Sequence, residues 1–263
     1  MNSWWQRWKG WRHARTLERR PIPDELWRTT LARFPFLRRR SGTDLVRLRE
    51  LATLFLARKE FSGAGGLEVT DEMAVAIAAQ ACVPVLELGL ECYDGFVGIV
   101  VHPYAVAARR ETTDEAGVVH RYVEELSGEA MEGGPLMLSW SDVAESGESA
   151  AWGYNVVIHE FVHVLDMHAA RAGMPSAGAS WPKCLRKEYD DFADRVDAGE
   201  DTLLDPYGAQ AIEEFFAVAA EVFFVAPDEL RGEEPALYAL LGEFFRQNPA
   251  DAEVGPAPDG EGR

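Results

Sequence analysis

Two histidines four residues apart, His159 and His163, bracket a glutamate, Glu160, in the stretch NVVIHEFVHVLDM. On an α-helix, positions i and i+4 share a face with Cβ atoms about 5–6 Å apart. Both imidazoles can then aim a nitrogen at one ion about 2.0–2.1 Å away, the distance zinc takes. Glu160 is rotated by about 100° from His159. Its carboxylate stands beside such an ion, where a general base can take a proton from water. The chemistry indicated is metal-assisted hydrolysis. A packing helix that happens to carry three polar residues is the bland alternative. A chance H-E-x-x-H arises in about one chain in a hundred of this composition. The neighbours Val156, Val157, Phe161, Val164 and Leu165 are apolar, so the trio would be partly buried. Burying it without partners is costly, and a cation removes that cost.

A catalytic zinc takes three protein ligands and leaves one position open. The long metzincin pattern would need a glycine and a further histidine where the chain has Asp166 and Ala169. Asp166 lies about 10 Å of helical rise beyond His159, too far to share the ion comfortably. It suits a supporting role, orienting a ligand histidine, or else a salt bridge or cap. Further on, YGAQAIEEFFAVAAEVFF places Glu213, Glu214 and Glu221 on an otherwise apolar helix, where a carboxylate needs a partner. Glu214 and Glu221 share a face and Glu213 is offset by about 100°. Helical geometry leaves the choice between Glu214 and Glu221 open.

The elements that must hold these residues can be read in order. PDELWRTTLARF reads as a short helix after an Asp24 cap. Ser41, Thr43 and Asp44 open a leucine-rich helix that runs to Gly63, Gly65 and Gly66. Thr70 caps an alanine-rich buried helix, Glu72–Gln80, before Pro84 interrupts. FVGIVVHPYAV, HRYVEELSGEAM and GPLMLSWSDV read as strands. The last of these is a candidate cleft edge, able to pair with an extended substrate or to be an ordinary sheet strand. The metal-binding helix follows and stops at Gly173-Met174-Pro175. WPKCLRKEYDDFADRVDAG, the glutamate-bearing helix behind the turn DPYG, and ALYALLGEFFRQNP complete the helices.

Charge separates the chain into parts. Residues 1–40 hold eleven Lys/Arg against three Asp/Glu, whereas the remainder holds fifteen against forty-one. Such an acidic body repels nucleic-acid backbones. In the basic arm, Trp4, Trp8 and Trp11 fall on one helical face. The arm either folds back on its own acidic domain or forms an interfacial helix that touches anionic lipid or a partner. No apolar run reaches membrane-spanning length and the first twenty residues lack a secretory-signal pattern. Cys82, Cys92 and Cys184 form no C-x-x-C pair. A reducing cytoplasm is the expected setting.

Four separated segments, FSGAGGLEVTDEMAVAIAAQACVPVLELGLECYDGF, GGPLMLSWSDV, NVVIHEFVHVLDM and DPYGAQAIEEFFAVAAEVFF, together resemble the Mlc titration factor A family of zinc peptidases, over about residues 45–245. The last two are also similar to the catalytic domain of anthrax lethal factor, in which a tyrosine precedes the ligand glutamate by seven residues and Phe-Phe follows it. The pattern Y-x6-E-F-F falls on Tyr207, Glu214, Phe215 and Phe216. The resemblance thus implies Glu214 as third ligand beside His159 and His163, a supporting role for Glu221, and Tyr207 as a donor to the oxyanion opposite the base Glu160. It implies an α+β, zincin-like metallopeptidase fold, mostly helical with a small mixed sheet. It also implies one Zn2+ per chain, gluzincin-type and aminopeptidase-like cleavage of a peptide or protein substrate, and a cytoplasmic location. In enterobacterial members it implies binding to the glucose repressor Mlc, so the rival expectation is a non-catalytic protein that sequesters a transcriptional repressor and uses zinc structurally. The expected organisation is an N-terminal extension at 1–44, a catalytic domain at 45–248 and a disordered acidic tail at 249–263.

Overall fold

Ser41, Thr70 and Ser139 each accept a hydrogen bond from the backbone N–H three residues on, and each starts a helix. This is the capping pattern expected of hydroxyl side chains at those positions. The computed structural model describes residues 14–113, 119–130, 134–147, 153–172 and 180–251. The tryptophans of the basic arm and the tail beyond residue 251 lie outside the described residues. The helices that frame the body are α1 (Asp24–Arg33), α2 (Gly42–Leu56), α3 (Asp71–Ala81), α4 (Trp140–Glu145), α5 (Val156–Ala172), α6 (Trp181–Asp197), α7 (Ile212–Val225), α8 (Pro227–Glu233) and α9 (Pro235–Phe245).

The strands are β1 (Glu60–Gly63), β2 (Gly98–His102), β3 (Val106–Thr113), β4 (Val119–Leu126), β5 (Gly128–Ala130) and β6 (Leu136–Ser139). A mixed sheet has the order β1-β2-β6-β5. β1, β2 and β6 run parallel, and β5 pairs antiparallel with β6. Ile99, Val101, Leu136 and Leu138 are buried, which is the period-two alternation of strands packed on a core. β3 and β4 form a separate antiparallel ribbon, with Val106 opposite Leu126 and Thr113 opposite Val119. The architecture is α+β, mostly helical with a small mixed sheet, as the resemblance implied.

Several local expectations change. Asp24 is the first residue of α1 rather than its cap, which is Pro23. α2 ends at Leu56, and Glu60–Gly63 becomes a short edge strand beside β2, too brief to announce itself by alternation. GPLMLSWSDV is a strand only to Ser139. The Ser139 hydroxyl then accepts from Asp142 N and turns the chain into α4. Most consequential, β6 is not the cleft edge: it lies between β2 and β5, and β5 holds the outer position.

Ile22, Trp27, Phe34, Phe36 and Leu37 share one buried core with α3, α5, α7 and α9, so the described part of segment 1–44 packs on the body. α5 is anchored from behind by Phe161, whose ring meets those of Tyr93, Phe55 and Phe96 at 5.0, 5.5 and 5.9 Å. α7 is anchored by Phe216, against Trp181 at 5.4 Å and Phe244 at 5.0 Å. Aromatic rings with few rotatable bonds make stiff mounts, and both helices turn their polar residues toward each other.

Candidate metal centre

α5 and α7 pack together, and their crossing brings three ligand atoms to one point. His159 Nε2 lies 3.1 Å from His163 Nε2 and 3.1 Å from Glu214 Oε2, and His163 Nε2 lies 3.3 Å from Glu214 Oε2. An ion bound tetrahedrally at 2.0–2.1 Å has ligand atoms about 3.3 Å apart. The triangle therefore matches one face of a zinc-sized tetrahedron. His159, His163 and Glu214 are also the one group of three metal-ligating side chains found to converge among the described residues.

Electrostatics say that the site is shaped for positive charge. Burial disfavours a charged His159. Hydrogen bonds to Glu214 and Glu221 outweigh it and raise the imidazole to about 10. Burial works against the Glu214 carboxylate too, yet the same histidines hold it down to about 2. Without an ion, a proton on His159 stands between two carboxylates where a cation fits. Two imidazoles and one carboxylate form a donor set suited to zinc.

Glu160 is only 6% exposed, and burial raises its carboxyl to about 7 against the pull of His159 and His163. β5 runs along α5, and Gly128 touches this carboxyl directly. A Cβ there would fall 2.4 Å from Glu160 Cγ and 2.5 Å from Oε1, well inside van der Waals contact. Any side chain at 128 displaces Glu160.

Glu221 is buried behind the triangle rather than in it. Its Oε1 meets His159 Nδ1 at 2.7 Å, and its Oε2 accepts from the Asn155 backbone N–H. Helical period left Glu214 and Glu221 equivalent; the crossing of α5 and α7 separates them. Burial, then Glu213, raises the Asp166 carboxyl, with His163 opposing. Among the described residues no hydrogen bond joins Asp166 to either histidine, and Glu221 holds His159 from behind instead. Tyr207 sits in the 3-10 turn Pro206–Gln210, where Asp205 accepts from its N–H at 2.8 Å. It is 39% exposed, with its ring 6.3 Å from that of His159.

Three participants escape the sequence reading. Asn155 caps α5 by accepting from Ile158 N at 2.9 Å, and an Asn just before an apolar periodic run is a recognisable start signal. Gln80 is a lone amide in an alanine-rich buried helix, a weaker signal. Gly128 had none, because its neighbour Glu160 is distant in sequence.

The model of the glucose-regulated metallo-peptidase M90 family matches residues 8–246. An uncharacterized protein of Synechocystis sp. is 34% identical, covering 92% of this chain and 90% of the relative. Mlc titration factor A of Serratia proteamaculans is 36% identical, covering 85% and 87%, and that of Salmonella arizonae is 34% identical, covering 86% and 92%. A triangle of side chains able to hold a metal ion, with a buried carboxyl at its side, thus sits in a chain matched along nearly its whole length, and the chain belongs to the glucose-regulated metallo-peptidase M90 family.

Proposed function

We propose that this protein is a zinc-dependent peptidase of gluzincin type, with aminopeptidase-like action. The observation that carries the reading is the triangle of His159, His163 and Glu214 with Glu160 buried beside it. A zinc ion held there supplies Lewis acidity, which acidifies water and polarises a carbonyl. Glu160, with a carboxyl near neutrality, takes the proton of the attacking water and delivers it to the leaving amine. Tyr207 donates its hydroxyl to the oxyanion from the open side. The outer edge of β5 pairs with an extended peptide, and Gly128 on that strand keeps the pairing backbone against Glu160. Asp166 and Glu213 concentrate negative charge beside His163, which favours a substrate with a free α-ammonium.

The name of the Serratia and Salmonella relatives suggests the rival, sequestration of a repressor with metal as a clip. Structural zinc is closed by four protein ligands, and three converge here among the described residues. The test uses zinc-loaded protein on aminoacyl anilides, N-acetylated anilides and chelator controls. Glu160→Gln should retain zinc and lose about 10²–10⁴-fold in kcat. Full turnover by that variant would remove the proposed base. Equal cleavage of the acetylated substrate would remove the aminopeptidase assignment.

A further inference from the structure

A chain of buried amides leads away from His159, and its far end lies on a helix that carries no ligand. The orientation of every group in it follows from one backbone N–H. Ile158 N can only donate, so Asn155 presents Oδ1 to it. Asn155 Nδ2 must then point the other way, where it donates to Gln80 Oε1 at 2.8 Å. Gln80 Nε2 is left to donate to Ala76 O at 3.2 Å, within α3. The Asn155 backbone N–H completes the path by donating to Glu221, whose other oxygen meets His159 Nδ1. Gln80 and Asn155 are fully buried and Glu221 nearly so. Ser146 also reaches Gln80 Oε1, at 3.3 Å, but its closer contact is Val143 O at 2.8 Å.

We infer that Gln80 on α3 is a positioning residue for the metal centre, acting through the Asn155 side chain and Glu221 on the ligand His159. This deepens the proposed zinc-peptidase function and rests on it. A helix cap needs only one acceptor, and Ser, Thr or Asp supplies that as well as Asn. Of the side chains that cap well, Asn alone accepts from Ile158 through one atom and donates to Gln80 through a second. That second bond grips the cap residue from α3 and fixes the N–H that holds Glu221. A buried network whose nitrogens and oxygens all find a partner has one arrangement, and it hands that single arrangement to His159. Partners that orient metal ligands typically contribute 10–100-fold to metal affinity. Gln80 acts two links away, so an effect of about 10-fold is expected.

The test compares the full-length wild type with Gln80→Met, Asn155→Ser and Ser146→Ala. Zinc affinity is read by competition with a chromogenic chelator, the Co2+ visible spectrum reports ligand geometry, and thermal unfolding of the metal-free proteins reports folding. Gln80→Met keeps the shape without the acceptor. Asn155→Ser keeps a capping oxygen and removes the nitrogen that reaches Gln80. Both should bind zinc about 10-fold more weakly and shift the Co2+ bands while still folded, whereas Ser146→Ala should match wild type. Wild-type zinc affinity and an unchanged Co2+ spectrum in a folded Gln80→Met would overturn the inference. Should that variant not fold, Asn155→Ser decides on the same two readouts. A wild type that binds no zinc would instead sink the peptidase reading, a result visible before any variant is compared.

Discussion

The first turn of α7 and the turn that carries Glu221 send the same functional group to the same histidine. Glu214 meets His159 at Nε2 and Glu221 meets it at Nδ1. Their surroundings differ. The Glu214 side chain is 23% exposed and lies next to the accessible turn of Tyr207, whereas the Glu221 side chain is 3% exposed and also accepts from a buried backbone N–H. A group that takes up an ion must be reached from solvent. A group that holds an imidazole in one orientation benefits from being inaccessible and fully bonded. Burial rather than residue type divides the two tasks, and each variant below tests that division.

Glu214→Ala should weaken zinc binding by more than about 100-fold, beyond the usual effect of a supporting partner, while the metal-free fold is little changed. Glu221→Ala should reverse the emphasis. Zinc affinity falls by about 10–100-fold, and the metal-free protein loses about 1–3 kcal/mol because Asn155 N and His159 Nδ1 are left buried and unpaired. Chelator competition and denaturant unfolding measure the two quantities separately. If only Glu221→Ala releases the metal, the comparison is inverted. Gly128→Ala should retain zinc and lose about 100-fold in kcat, the usual cost of misplacing a reacting group by about 1 Å, because a Cβ there overlaps Glu160. Unchanged turnover would show that Glu160 can act from elsewhere. Tyr207→Phe should lower kcat about 10-fold with little change in KM, less than a fully buried oxyanion donor because of its exposure.

A pH series tests the same electrostatics without a substitution. His159 is raised from 6.5 to about 10 in the metal-free protein, so at neutral pH an entering ion must displace its proton. Apparent zinc affinity should rise by about tenfold per pH unit across that window. Calorimetry in buffers of different ionisation heat should find about one proton released from His159 per ion at pH 7–9. The same raised value stabilises the metal-free fold fully below 6.5, and that contribution is lost as pH rises through about 10. A pH-independent affinity would mean that His159 is already neutral before the ion arrives.

Some of this was legible in the chain and some was not. The His159–Glu160–His163 spacing, the Ser41 and Thr70 caps and the Asp205 turn before Tyr207 were readable, since each involves groups within four residues of one another. Glu214 was singled out by family resemblance rather than by geometry. β1 was hidden by its brevity, and the choice between edge and interior for β6 stayed open because strand order is a property of the sheet and leaves no local trace.

Residue spacing alone determined that His159 and His163 share one helical face, and which later helix carries the spare carboxylates, because backbone periodicity and capping act within a turn or two. The fold assigned the work among those residues. Glu214 meets His159 across 55 positions of chain, Glu221 across 62 and Gln80 meets Asn155 across 75. Contacts at such separations depend on where aromatic anchors such as Phe161 and Phe216 seat whole helices, and burial there turns identical side chains into different chemical groups.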